Sequence, residues 1–167
     1  MTIEELNKLG EANLKEEFLR CCGSKRWVKQ MVAAKPYRSE KDLLVKAEAS
    51  WHNTTEADWL EAFSHHPKIG DLKSLEKKFA ATRALAGGEQ AAVNSASIKT
   101  LEELAEGNLL YEDKFGFIFI VCATGLSADE MLVLLNARIN NDRTTELKIA
   151  FEEQHKITGL RLQKLLS

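Results

Sequence analysis

Of the four histidines in the 167 residues, one stands where its spacing could do chemistry. Trp59, Ala62, Phe63 and His66 fall at i, i+3, i+4 and i+7 within DWLEAFSHHPKIGD, residues 58–71, so on a helix they share one face. Pro67 has no N–H and disfavours the helical conformation at the residue before it, which predicts that the helix stops at or near His66. An inward-facing imidazole at that end is placed to carry protons near neutral pH, its reference pKa being about 6.5. The same spacing also suits a half-buried histidine that binds the last carbonyls and favours the negative end of the helix dipole. His65, about 100° further round the helix, falls on the side of Asp58 and Glu61 and is expected to face water.

A cation is the second candidate. A helix starting near Thr144 places Leu147, Phe151, Gln154, Ile157, Arg161 and Leu165 within roughly 80° of one another, so Arg161 lies on the inward stripe. A buried charge without a partner is costly. Arg161 therefore either snorkels to water, pairs with an internal carboxylate, or waits for an anionic ligand. The third candidate is the link GGEQAAVNSA, 87–96, where Gly87 and Gly88 break one helix and Glu89 and Gln90 open the next, a position at which the helix dipole favours a carboxylate. Taken alone this is ordinary capping. No metal site is expected: adjacent His65 and His66 diverge, His52 and His155 are isolated, and no HExxH or CxxC spacing occurs.

The elements that must hold these groups read as seven to nine helices with short links. Start signals recur as Ser, Thr or Asn followed three residues later by Glu or Asp: Thr2 with Glu5, Asn13 with Glu16, Ser39 with Asp42, Thr55 with Asp58, Thr100 with Glu103 and Ser127 with Glu130. Stop signals interleave at Gly10, Gly23, Pro36, Pro67, Gly125 and Asn140–Asn141. Helical spacing of apolar residues follows, as in Ile98, Leu101, Leu104, Ala105 and Leu109, and in Met131, Leu134 and Leu135 with Arg138. One stretch objects. FGFIFIVCA, 115–123, has the β-branched and aromatic content of a strand, but no second run offers its backbone a partner. It is expected to be a fully buried segment of a helical protein, which is either simply core or, where Gly116 breaks the helix, a source of backbone amides for a ligand.

Composition bounds the rest. With 44% hydrophobic and 29% charged residues the chain is an ordinary globular one, expected to form a single domain over 1–167. A net charge of −2, with both signs spread along the chain, gives no nucleic-acid-binding surface. No apolar run approaches the roughly 20 residues that span a bilayer, and the acidic start MTIEELNKLGEANLKEE is unlike a signal peptide, so no membrane and a cytoplasmic location are expected. Cys21, Cys22 and Cys122 are an odd set that suits reduced thiols in a reducing compartment.

Five ordered blocks, ADWLEAFSHHPKIGD, the GEQ turn, NLLYEDKFGFIFIVCATG, NDRTTELKIAFEEQHKIT and LRLQKLL, together resemble the OHCU decarboxylase family (2-oxo-4-hydroxy-4-carboxy-5-ureidoimidazoline decarboxylase) of urate degradation. The resemblance covers almost the whole chain. It implies an all-α bundle, commonly a homodimer, that acts on a small-molecule substrate with no metal or organic cofactor. By resemblance the family's His-Pro falls on His66 and Pro67, its Glu-Gln on Glu89 and Gln90, and its C-terminal substrate-binding arginine on Arg161, while substrate also lies along Phe117 and Ile118. The implied roles are catalytic for His66, which takes the proton of the substrate hydroxyl, and for Glu89, which either fixes the imidazole tautomer or passes the proton on. Arg161 and Gln90 would orient the ureido and ring carbonyls. One departure is Ala86, where members often carry a serine, so a hydroxyl contact is missing or is replaced by the backbone at Gly87 and Gly88. The competing reading is a non-catalytic all-α interaction module, which has no use for inward charges converging on a histidine.

Overall fold

The computed structural model describes residues 1–67, Lys73, Leu75, Lys77 and 91–167, with side chains in the last range from residue 98 onward. Eight helices are found among the described residues and no strand: α1 (Ile3–Lys8), α2 (Glu11–Cys21), α3 (Lys25–Ala33), α4 (Glu40–His52), α5 (Glu56–Ser64), α6 (Ala91–Phe115), α7 (Ala128–Arg138) and α8 (Arg143–Leu166). The protein is all-α. None of the described helices is long and apolar enough to cross a membrane.

Most start signals do their expected work. Thr2 and Glu5, and Ser127 and Glu130, exchange side-chain and backbone hydrogen bonds as capping boxes, and Ser39 Oγ accepts from Asp42 N at 3.1 Å. At α5 the Asp58 carboxylate accepts from Thr55 N at 2.8 Å. Two signals mislead. Asn13 lies inside α2, whose cap is Gly10, and Thr100 lies inside α6, where its hydroxyl donates to Asp129 Oδ1 at 2.7 Å. A short polar side chain inside a helix can bond sideways to a neighbouring element, and sequence spacing alone does not distinguish that from a cap.

Two compact units divide the described chain. The first comprises residues 1–66, 120–122 and 149–167. Its core gathers Leu6, Leu14, Phe18, Trp27, Met31, Leu43, Trp51, Phe151 and Leu162. Phe18 meets the rings of Trp27 and Tyr37 edge-on at 5.9 and 6.1 Å, and Trp27 Nε1 donates to Ala47 O at 3.0 Å, so large aromatics fill space without stranding a donor. Phe151 of α8 stacks on Trp51 of α4 at 5.1 Å and meets Trp59 of α5 at 4.8 Å, while Trp51 Nε1 donates to Phe151 O. These contacts lock α8 onto α4 and α5.

The second unit comprises 67–119 and 123–148. Here α6 and α7 approach closely at Gly107, where an added Cβ would come within 2.5 Å of Leu135 Cδ2. Of these helically spaced residues Leu101, Leu104, Met131 and Leu135 are buried, whereas Ile98, Leu109 and Leu134 are exposed. Arg138 is buried, as its stripe requires, and pairs with Glu146, which is fully buried. Tyr111 donates to the same carboxylate, Asn141 Nδ2 reaches its other oxygen at 3.1 Å, and the guanidinium lies 4.5 Å over the Phe119 ring. Burial, then the hydrogen bond to Glu146, pushes the Tyr111 hydroxyl far above its usual range.

The strand-like stretch is neither strand nor helix. After Phe115 ends α6, Gly116 turns with φ +79° and residues 118–123 take up no regular secondary structure. It is less enclosed than the sequence suggests: Phe115, Phe117, Phe119 and Ile120 are buried, but Gly116 is exposed and Ile118, Val121, Cys122 and Ala123 are half-buried. Of its backbone groups, Cys122 N donates to Glu153 Oε1 at 3.4 Å.

Candidate functional site

The helix α5 ends as the sequence requires. Its last residue is Ser64, His65 N donates to Ala62 O and His66 N to Phe63 O, each at 3.2 Å, and Pro67 follows. On the predicted face Ala62 and Phe63 are buried and Trp59 and His66 half-buried. His66 thus stands where the apolar stripe meets the polar end of the helix.

Its ring finds a partner on α8. His66 Nε2 lies 2.6 Å from Gln154 Oε1, and Gln154 is fully buried. The same amide donates through Nε2 to Thr158 Oγ1 at 3.2 Å, and the Thr158 hydroxyl donates back to Gln154 O at 2.9 Å. Trp59 meets Phe151 and then His66 meets Gln154, so the aromatic contact sets the register that brings the imidazole to the amide.

The turn between α2 and α3 closes this arrangement from another side. Cys21 O accepts from Arg161 Nη1 at 3.4 Å, and Gly23 lies directly against the His65 side chain. A Cβ at Gly23 would be 2.3 Å from His65 Cγ and 2.5 Å from His65 Cβ, so only glycine fits. The turn is pinned in place by Ser24 Oγ, which accepts from Trp27 N, and by Glu61 of α5, which accepts from Lys25 N at 2.6 Å. Burial pushes the Cys21 and Cys22 thiols up to about 11, although the Arg161 charge pulls the other way. Both are therefore neutral near pH 7.

Arg161 follows Thr158 by one turn and is half-buried. Among the described residues its one hydrogen bond is the long one to Cys21 O, and no carboxylate there forms an ion pair with it. Arg138 presents the contrast, with its guanidinium matched by Glu146. Most donors of the Arg161 fork have no protein partner among the described residues, and a planar fork of this kind matches a carboxylate or a polarised carbonyl.

Of the residues singled out in the sequence, the structure brings His66 and Arg161 into one unit through Gln154, Thr158 and the Cys21–Gly23 turn. Pro67, exposed, and Phe117 and Ile118 belong to the second unit, with Phe117 buried beside Tyr111 and Ile118 half-buried. Glu89 and Gln90, with Ala86, Gly87 and Gly88, lie outside the described residues. His65 is exposed as expected, but one side of it rests on Gly23. Among the described residues no three His, Cys, Asp or Glu side chains converge as a metal-ligand set. Gln154 and Thr158 are residues of this arrangement to which the sequence alone assigns no role. Their signal was present: two polar residues at i and i+4 on an inward helix stripe are buried together and must satisfy each other.

A family model described as OHCU decarboxylase matches residues 7–163. The uric acid degradation bifunctional protein TTL of Arabidopsis thaliana is 41% identical over 152 residues, which is 91% of this chain and 47% of that protein, so the chain spans about half the length of that relative. A 2-oxo-4-hydroxy-4-carboxy-5-ureidoimidazoline decarboxylase of Haloferax volcanii is 22% identical over 168 residues, covering 100% of this chain and 97% of the relative. A crystal structure of OHCU decarboxylase in the presence of (S)-allantoin is similar at a TM-score of 0.72 and 41% identity, over 90% of this chain and 97% of that one.

Proposed function

Because the chain belongs to the OHCU decarboxylase family, we propose that it is a carboxy-lyase that converts 2-oxo-4-hydroxy-4-carboxy-5-ureidoimidazoline to (S)-allantoin, the last step from urate to allantoin. The observation that carries this reading is the pairing of a half-buried imidazole, anchored on a buried amide, with a guanidinium on the same helix that no carboxylate neutralises among the described residues. A purely structural helix would gain nothing from leaving that cation without an anion.

Decarboxylation needs somewhere to put an electron pair, which many enzymes supply with a cofactor. This substrate carries its own acceptor. Its carboxylate sits on a ring carbon that also bears a hydroxyl and adjoins a C=N bond. As the carbon–carboxylate bond breaks, CO2 leaves and the electron pair forms a carbon–carbon double bond, while the C=N electrons pass to nitrogen, which takes a proton. The resulting enol then loses its hydroxyl proton and becomes the ring carbonyl, and the carbon bearing the ureido group gains a proton on one face. The net change is loss of CO2 and uptake of one proton.

His66 takes the hydroxyl proton, a task for which an imidazole near neutral pH is suited. Arg161 binds the anionic substrate and holds it in one orientation, which both lowers the entropic cost and selects the protonated face. By resemblance, Glu89 passes the proton on, Gln90 assists Arg161 in orienting the ureido and ring carbonyls, and Pro67, Phe117 and Ile118 contact the substrate. The proposal extends to one functional domain over 1–167, acting as a homodimer in the cytoplasm. Its test is to add the protein to freshly generated substrate and follow optical activity. Rapid accumulation of one allantoin enantiomer is expected; racemic product formed at the uncatalysed rate would refute it.

A further inference from the structure

We propose that Gln154 and Thr158 are positioning residues that hold His66 as its Nε2–H tautomer, so that Nδ1 is the nitrogen that accepts the proton. The role given to Nδ1 rests on the decarboxylase reading; the tautomer does not.

The protons along this chain of contacts can be counted. Thr158 has one hydroxyl proton, and at 2.9 Å it is committed to Gln154 O. The lone pairs of Oγ1 are then what face the side-chain amide, so the amide presents its NH2 to Thr158 at 3.2 Å and its oxygen to the imidazole. An amide oxygen only accepts. The 2.6 Å contact therefore requires a hydrogen on His66 Nε2, and in the neutral ring the basic lone pair is on Nδ1. Full burial of Gln154 and the burial of Thr158 make this arrangement costly to break, since turning the amide over exchanges donor for acceptor at both of its ends.

Chemistry gives the choice of an amide a consequence. When Nδ1 takes a proton, the imidazolium keeps its Nε2–H bond to Gln154, so the ring is not reoriented during the reaction. A carboxylate at position 154 would also hold Nε2–H, but it would favour the charged ring and keep the base protonated to higher pH. An uncharged acceptor orients the base without filling it.

The test begins with the full-length protein labelled with 15N, in which long-range proton–nitrogen correlations distinguish a nitrogen bearing hydrogen from one bearing a lone pair. The His66 signals are assigned by their loss in His66→Asn. We expect Nε2 to be the protonated nitrogen and Nδ1 the lone-pair nitrogen at a pH where the ring is neutral; the reverse pattern overturns the proposal, whether or not the protein decarboxylates anything. Kinetics supply the second reading. Gln154→Leu should lower kcat by about ten- to a hundredfold with KM within about threefold, because orientation and not substrate binding is lost. Gln154→Glu should retain the tautomer and move the acidic limb of kcat/KM to higher pH by about one unit or more. An acidic limb that stays put in Gln154→Glu contradicts a direct bond from residue 154 to the base. A correct tautomer in a protein that leaves substrate untouched would refute Nδ1 as the reaction's base and the decarboxylase reading, while leaving the assignment of the ring proton standing.

Discussion

Gly23→Ala tests how the α2–α3 turn holds the end of α5. Carbon atoms in contact sit about 3.5–4.0 Å apart, and the new methyl would meet His65 Cγ at 2.3 Å and His65 Cβ at 2.5 Å. Rotating the imidazole moves Cγ only while Cβ stays with the backbone, so the side chain cannot escape by changing rotamer. The turn is equally constrained, by Glu61 on Lys25 N and by Ser24 on Trp27 N. Something must shift at the residue next to His66. Overpacking of this kind costs about 1–3 kcal/mol, and for a chain of this length each kcal/mol is worth about 2–4 °C, so the melting temperature should fall by roughly 2–12 °C. Activity should fall as well, by about tenfold or more, because displacement of a catalytic group by an ångström can cost on the order of a hundredfold. Circular dichroism melts and the optical-activity assay measure the two effects. The decisive variant is the double one, Gly23→Ala with His65→Gly, which removes the crowded side chain and should recover most of the loss, giving a coupling of about 0.5–3 kcal/mol. Wild-type melting and turnover in Gly23→Ala, or no recovery in the double variant, would refute the reasoning.

Other outcomes follow from single contacts. Arg161→Lys should lower kcat/KM by about ten- to a hundredfold with little change in melting, because an ammonium does not reproduce a planar donor fork; a much lower melting temperature with normal kinetics would instead make Arg161 a structural residue. Arg138→Ala should destabilise by about 3–5 kcal/mol, since it leaves the fully buried Glu146 without its counter-ion, and a melt within about a degree of wild type would contradict that. Cys21 and Cys22, with thiols raised from 9.0 to about 11, should resist alkylation at pH 8 in the folded protein and react once it is denatured. Their folded pKa lies above the unfolded value and the neutral form is the favoured one, so their contribution to stability is full below pH 9.0 and is lost as pH rises toward 11, which a pH series of melts would follow.

Local rules made much of this legible in the sequence. The α5 face, its stop before Pro67, and the placement of Phe151, Gln154 and Arg161 on one stripe of α8 all depend on helical periodicity and on proline, which act within a few residues. Periodicity is silent on partners. It put Arg138 and Arg161 on inward stripes alike, yet one meets Glu146 and the other meets no carboxylate among the described residues, a difference set by what other helices bring. The hydrogen bond from His66 to Gln154 spans 88 residues of sequence, and the contact between Gly23 and His65 depends on a turn whose glycine looked like a simple helix stop. The FGFIFIVCA run is less buried than its composition suggests because apolar content alone does not say how many sides of a segment are covered. Asn13 and Thr100 matched a capping pattern that their helices did not use.

The most direct test of the central claim is turnover by His66→Asn, measured beside wild type on freshly generated substrate with the far-UV spectrum and melt recorded on the same samples. If His66 is the base held by Gln154, the variant should remain folded and lose about 10²–10⁴ in rate, the usual contribution of a general base. A folded His66→Asn protein that produces (S)-allantoin within about threefold of the wild-type rate would contradict the account, since no general base can be removed so cheaply.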